Sequence, residues 1–349
     1  MSDILIRVDG RAGRITLNRP AALNALTDGM LRALDAALVA WAGDDAVALV
    51  VIDAEGDRAF CAGGDITGLY ARGRAGDFGF GQDFWRREYR MNARIAEYAK
   101  PVVSLMQGFT MGGGVGVGCH GSHRIVGASS RIAMPECGIG LVPDVGGSFL
   151  LALAPGRLGE YLGTTGARMG PADAIDAGFA DWFVPEDAWP GLISALCATG
   201  DAAEVEGAAL PPPPGAICAH KAEIETHFAG ETLGDIWRSL AGAATPFAAE
   251  TRAALARVSP LSAACTVEML HRLGDAPTLR RALEMEYRFT FRAQEHADFL
   301  EGIRAAVIDK DRSPRWRHAA PDRVPGIEIS RMLLPLGRLG LRLDEEENG

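Results

Sequence analysis

An α/β core followed by a helical C-terminal region is the fold class that the sequence predicts, and three observations predict it. A continuous apolar run, Ala48-Leu49-Val50-Val51-Ile52, as expected of a parallel strand buried on both faces, and a second strand, Val102-Val103-Ser104-Leu105-Met106, alternate with helical patterns. From about Val184 the strand signals stop and Ala/Leu/Arg/Glu-rich helical patterns take over. Glycine is the third: 43 of 349 residues, well above the ~7 % of ordinary globular chains, with its densest clusters just after strands.

Taken in order, Ile4 to Val8 and Gly13 to Leu17 read as two short strands joined at an Asp9-Gly10 turn. Beyond the Asn18-Arg19-Pro20 break, Thr27 or Asp28 can cap a helix from about Gly29 to Trp41, whose apolar residues Met30, Leu31, Leu34, Ala37, Leu38 and Trp41 recur at helical spacing. The strand at 48–52 follows and completes a βαβ unit. Next come a loop at 60–68, a helix at about 82–99, the strand at 102–106, and a Gly-rich segment leading into Arg131-Ile132-Ala133-Met134. This organisation divides into a core over residues 1–185 and a helical region over 186–349, the latter containing an extended Pro-rich linker at 201–215.

Hydrophobic residues at 48 % and charged residues at 23 % exclude disorder and leave enough apolar material for a large core. The net charge of −10 disfavours nucleic acid and anionic lipid as partners. The start Met1-Ser2-Asp3-Ile4 lacks a signal-peptide pattern, and no apolar run approaches the ~20 residues of a membrane span, so a soluble cytoplasmic protein is expected. Six cysteines without a C-x-x-C pair indicate neither a disulfide scaffold nor a zinc module. Cys119, His120 and His123 fit no zinc spacing and read as packing or surface residues, and no metal site is expected. Gly116-Val117-Gly118-Cys119-His120-Gly121 matches G-x-G-x-x-G, but it lies too far from the strand at 102–106 to be a dinucleotide turn.

Two glycine clusters, Ala62-Gly63-Gly64-Asp65 and Met111-Gly112-Gly113-Gly114, each follow a strand. Consecutive glycines let backbone N–H groups approach a ligand closely, and two N–H groups converging from separate loops are what a thioester oxyanion requires. The plain alternative is tight turns and close packing. Glu136 and Asp144 lie eight residues apart in an apolar loop broken by Gly and Pro. There a carboxyl group loses hydration, its pKa rises, and it becomes a candidate general acid or base. Alternatively Asp144 caps a helix starting near Val145, or the acids pair with Arg131. Glu88, among Arg86, Arg87 and Arg90, reads locally as a solvated ion-pair residue.

These residues resemble a known family. Asn18-Arg19-Pro20 with Leu23-Asn24-Ala25-Leu26, Phe60-Cys61-Ala62-Gly63-Gly64-Asp65-Ile66, Met111-Gly112-Gly113-Gly114 and Met134-Pro135-Glu136 are similar to the crotonase, or enoyl-CoA hydratase/isomerase, superfamily over about residues 3–185. The resemblance implies a spiral of ββα units, an acyl-CoA thioester substrate, and an oxyanion hole made by the N–H groups of Gly64 and Gly113. It also counts Leu23, Ala25, Ala62, Gly63 and Asp65 among the substrate-binding positions. Hydratases of this superfamily carry a first catalytic glutamate three residues after the oxyanion glycine. Here that position is Gly116, which leaves Glu136 alone.

Gly140 to Gly147, Asp298-Phe299-Leu300-Glu301-Gly302-Ile303-Arg304-Ala305, Ile308-Asp309-Lys310-Asp311 and Pro314-Arg315-Trp316 resemble the 3-hydroxyisobutyryl-CoA hydrolase branch. In that branch the positions matching Glu88, Gly113, Glu136 and Asp144 contact the substrate. The expectation is therefore hydrolysis of a short branched 3-hydroxyacyl-CoA, as in valine breakdown, with Glu136 and Asp144 catalytic and no cofactor beyond the CoA of the substrate. The alternatives are an isomerase or atypical hydratase on the same fold and a catalytically silent scaffold subunit. The helical region leaves room for a homo-oligomer.

Overall fold

The structure, a computed structural model, describes residues 2–344. The chain folds as two units built from alternating stretches: Met1–Asp65, Met91–Ala133 and Arg168–Ala219 form the first, and Ile66–Arg90, Met134–Ala167 and His220–Gly349 the second. Five helices bear most on the site: α1 (Asp28–Ala42), α2 (Ile66–Arg74), α3 (Phe78–Ala96), α4 (Gly113–Gly118) and α5 (Gly147–Leu153).

Among the described residues, every strand lies in the first unit. β1 (Ile4–Asp9), β2 (Ala12–Leu17), β3 (Leu49–Ala54), β5 (Val102–Met106), β7 (His123–Val126) and β9 (Trp182–Phe183) pair in the order β1-β2-β3-β5-β7-β9. β4 (Ala59–Cys61), β6 (Phe109–Met111) and β8 (Arg131–Ala133) make a second sheet in the order β4-β6-β8. Only the β1-β2 hairpin is antiparallel, with Ile6 opposite Ile15. The other pairings are parallel, with Val50 beside Val102 and Met111 beside Ala133. Successive strand pairs β3-β4, β5-β6 and β7-β8 each give one strand to each sheet, which is the expected ββα repeat. β4 and β6 go undetected in the sequence because three residues are too few to display a period.

α1 begins as predicted, the Thr27 hydroxyl accepting from the Met30 N–H at 3.2 Å, and the six apolar residues named above are buried. On one face of the larger sheet, Leu49, Val51, Val103, Leu105 and Ile125 pack with Trp189, Leu192 and Leu196 from the helix Trp189–Thr199. Residues 201–215 are not the extended linker expected. They contain the helix Glu204–Ala208, whose Val205 is fully buried in the same core. Leu210 bridges to Phe183, and the Asp173 carboxylate accepts from the Ala216 and Ile217 N–H groups. The prolines keep 211–214 extended, but the apolar anchor on one side and the carboxylate on the other pin the segment to the core.

The second unit is helical throughout its described residues. α2 begins within the last residues of the loop expected at 60–68 and runs on to Arg74, and α3 starts at Phe78 instead of near residue 82, Asp77 accepting from the Phe80 N–H. The short 3-10 turn Glu136–Ile139 ends at Gly140 with φ +75°. A Cβ on Gly302 would stand 2.1 Å from the Ile139 carbonyl oxygen, so the Asp298 to Gly302 segment approaches that turn as only glycine permits. No helix among the described residues is long and apolar enough to cross a membrane.

Candidate active site

In the first unit the two glycine clusters are neighbours. Asn24 is fully buried at φ +55°, its side-chain oxygen accepting from the Arg19 N–H and its amide donating to the Glu55 and Ala59 carbonyls. This turn fixes Leu23 and Ala25: the Leu23 carbonyl accepts from the Ala62 N–H at 3.0 Å, and the Ala25 carbonyl accepts from Arg19 at 2.6 Å. Leu26 then bridges to the first cluster, its N–H donating to the Gly63 carbonyl and its carbonyl accepting from the Asp65 N–H. The bridge therefore passes over the N–H of Gly64. Asp65 also receives Arg19 at 3.3 Å.

Gly63 has φ +117°, and a Cβ there would lie 3.4 Å from the Met111 carbonyl and 3.9 Å from the Gly113 nitrogen. Gly113 is the first residue of α4, so its N–H has no acceptor within the helix. α4 reaches β4 through Gly114, where a Cβ would stand 2.2 Å from the Cys61 carbonyl. The sequence thus folds two adjacent loops that carry the N–H groups of Gly64 and Gly113 and spare them from backbone pairing.

Glu88, Glu136 and Asp144 belong to the second unit and are buried there, at 3 %, 5 % and 4 % exposure. The solvated ion pair expected of Glu88 is not found. Arg86 pairs with Asp83, Arg90 donates to the Arg342 carbonyl, and Glu88 falls on the apolar stripe of α3 with Phe84, Trp85 and Met91. Asp144 does not cap α5 either, because its Oδ2 accepts from the Tyr89 hydroxyl at 2.8 Å. The Arg131 guanidinium is engaged with the Ala128 and Ser130 carbonyls.

A fourth acid, Glu286, is fully buried on the helix Leu279–His296. Its carboxylate accepts from the N–H groups of Gly146 at 2.8 Å and Ser148 at 3.0 Å and from the Ser148 hydroxyl. One turn later Thr290 lies 3.4 Å from the Tyr89 hydroxyl. Neither residue was singled out from the sequence. The available signal was the apolar stripe of that helix, Leu279, Leu283, Phe289 and Ala293, in which Glu286 and Thr290 occupy inward positions.

Burial raises the pKa of all four acids. Glu136 is pushed well above the usual carboxylate range by desolvation and then by the charge of Asp144, and Glu88 by the same two causes. Asp144 is raised to about 7 by burial, the Tyr89 O–H opposing the rise, and Glu286 to about 8 by burial against its three donors. Glu88 Oε1 and Glu136 Oε2 have no protein hydrogen-bond partner. The second unit thus holds a desolvated, proton-retaining cluster with two open acceptor atoms, the environment in which carboxyls act as acids and bases near neutral pH.

This cluster fixes the sign of a pH effect on stability. Folding raises these pKa values above the 3.8 to 4.5 of ordinary Asp and Glu, so on raising the pH the unfolded chain loses its protons first. Stability from these groups is full below about pH 4 and is lost as the pH rises through about 7 to 8. The melting temperature is expected to fall by a few degrees between pH 5 and pH 9, measured by scanning calorimetry in buffers of constant ionic strength. A flat or rising profile would contradict burial of this cluster.

The Asp309-Lys310-Asp311 motif is organised by Arg304, which reaches Asp309 at 2.6 Å, Asp311 at 2.7 Å and Glu301 at 2.8 Å. Asp298, buried, accepts from the Ser259 hydroxyl and the Arg317 N–H. The C-terminal motif residues thus organise the chain near the Glu136 turn. Among the described residues no group of three or more His, Cys, Asp or Glu is placed to hold a metal ion.

The family model described as enoyl-CoA hydratase/isomerase matches residues 12–333. Curated relatives named mitochondrial 3-hydroxyisobutyryl-CoA hydrolase include those of Gallus gallus, 36 % identical over 98 % of this chain and 91 % of the relative, and of Homo sapiens, 34 % identical over 97 % and 90 %. Among solved structures, an enoyl-CoA hydratase from Rhodobacter sphaeroides is 63 % identical with a TM-score of 0.94, covering 98 % of this chain and all of that one. A carnitinyl-CoA dehydratase from Mycobacterium thermoresistibile is 39 % identical, also with a TM-score of 0.94, covering 99 % of this chain and all of that one.

Proposed function

The chain belongs to the enoyl-CoA hydratase/isomerase family, and we propose that within it this protein hydrolyses 3-hydroxyisobutyryl-CoA to 3-hydroxyisobutyrate and CoA. The observation that carries the proposal is the inventory of buried acids. Glu136, Asp144 and Glu88 are present and desolvated, whereas the position of a hydratase's first glutamate is Gly116, inside α4. The near full-length likeness to relatives named as hydrolases supports the same assignment.

Chemically, hydrolysis needs a donor pair for the carbonyl oxygen and a base for water. We assign the first task to the N–H groups of Gly64 and Gly113, whose hydrogen bonds strengthen as the oxygen gains charge. Glu136 in its ionised form serves the second. It removes a proton from water as the water oxygen adds to the thioester carbon, or it adds to that carbon itself and forms an anhydride that water then opens. In either route the C–S bond breaks, the thiolate leaves as CoA, and a proton is delivered to sulfur. Asp144, held by Tyr89, is suited to guiding that proton. Burial and the charge of Asp144 raise the Glu88 pKa and favour its protonated form, which is suited to offering an O–H donor to the hydroxyl of the acyl chain.

Incubation with 3-hydroxyisobutyryl-CoA and a thiol reagent is expected to show continuous release of free CoA. Absence of release would sink the proposal. Likeness to the Rhodobacter sphaeroides enoyl-CoA hydratase favours a second reading, hydration of an enoyl-CoA. That reaction consumes the conjugated thioester without freeing a thiol, so loss of the enoyl-thioester absorbance of a short 2-enoyl-CoA with no CoA released from 3-hydroxyisobutyryl-CoA would favour hydration. A single turnover in labelled water, followed by mass analysis of the Glu136 peptide, distinguishes the anhydride route by label in the glutamate.

A further inference from the structure

We propose that Glu286 is a positioning residue for the reaction, its carboxylate fixing the backbone of the loop that presents Asp144. The positioning stands on geometry; its effect on turnover rests on the hydrolase assignment.

Asp144 is followed by Val145 at φ +56°, a left-handed conformation that a β-branched residue adopts only when its surroundings hold it there. The next N–H, that of Gly146, donates to Glu286 Oε2 at 2.8 Å, and the N–H and hydroxyl of Ser148 donate to Oε1. Glu286 thus clamps the chain on the far side of the strained residue from Asp144. The same helix acts on the Asp144 side chain: Thr290 contacts the Tyr89 hydroxyl, Tyr89 donates to Asp144, and Tyr287 meets the Tyr89 ring edge-on at 6.2 Å. Backbone and carboxylate of Asp144 are therefore both set from the helix Leu279–His296.

Capping alone does not account for a glutamate at this position. A serine or aspartate at the start of α5 would satisfy the same N–H groups locally, without burying an acid completely. What an acid adds is its field. The titratable groups facing it are Asp144 and Tyr89, with Glu136 in the same field and Glu88 next to Asp144, whose charge acts on it. No cation is found among these partners.

Glu286→Gln tests this. The amide places an N–H against one of the loop's donors and removes the negative charge that Glu286 gains as the pH rises through about 8. The expected result is kcat for 3-hydroxyisobutyryl-CoA lower by ~10- to 100-fold, the cost of a small misplacement, with KM within about 3-fold. The acid limb of the pH profile should move to lower pH as Glu136 is relieved of a neighbouring charge. Amide exchange in the peptide spanning 143–149 should accelerate. Glu286→Asp, which keeps the charge, should restore the position of the acid limb and only part of the rate. If Glu286→Gln folds with wild-type kcat and an unmoved limb, the proposal is overturned, even if exchange quickens, because Glu286 is then only a cap. If it does not fold, Ser148→Ala replaces it, removing one donor. A smaller loss of rate with faster exchange supports the clamp, and wild-type behaviour in both overturns it. Exchange is read without substrate, so if the wild-type protein releases no CoA, the hydrolase assignment falls and the clamp is judged on exchange alone.

Discussion

Glu136→Gln is expected to lower kcat for 3-hydroxyisobutyryl-CoA by at least ~1,000-fold while leaving KM within a few-fold, since loss of a positioned base or nucleophile costs this much and the amide keeps the shape that meets the substrate. The substitution is nearly isosteric, and the amide can neither accept a proton from water nor attack a thioester. Its effect on stability should run the other way. Glu136 is buried with Oε2 lacking a protein partner, and burial raises its pKa, so the folded state disfavours the ionised form. A neutral amide removes that penalty. The melting temperature of the variant is therefore expected to match the wild type at pH 5 and to exceed it at pH 9. Loss of activity in a protein at least as stable separates chemistry from folding. A variant retaining a tenth of wild-type kcat would remove Glu136 from the reaction.

How far the sequence discloses such residues depends on whether the physics that places them is local. The strand at 102–106 was legible to its ends because five consecutive buried residues leave a pattern five residues long. Gly63 and Gly114 were legible because a left-handed φ at one and a 2.2 Å approach at the other admit no side chain. Glu88 was half legible. Its arginine neighbours pointed to solvent, whereas the helical stripe through Phe84, Trp85 and Met91 pointed inward, and burial shows that the stripe outranks adjacency. β4 and β6 left too short a trace, and the linker expected at 201–215 concealed one buried valine among small residues and prolines. Glu286 was not legible as a partner of Asp144. The two are 142 residues apart in the chain, and their relation exists only once the second unit is assembled from three separate stretches.

The Gly113 donor assigned to the oxyanion can be tested with proline, which at the first position of a helix removes the N–H and puts its ring Cδ in the place of the hydrogen. Gly113 occupies that position in α4, where the fixed φ of proline is already suited to the helix. The preceding Gly112 has ψ −121°, outside the α region that a following proline forbids. Gly113→Pro is therefore expected to fold, with helix content by circular dichroism close to wild type. Its kcat should fall by ~10²- to 10³-fold, equivalent to roughly 3–4 kcal/mol of barrier, which is the cost of one oxyanion donor. KM should rise as well, because the ring Cδ stands where the N–H faced the carbonyl oxygen of the bound thioester. A folded Gly113→Pro protein with wild-type kcat would show that the N–H of Gly113 is no oxyanion donor. The nearness of the two glycine clusters would then reflect only the close packing of α4 on β4 through Gly114.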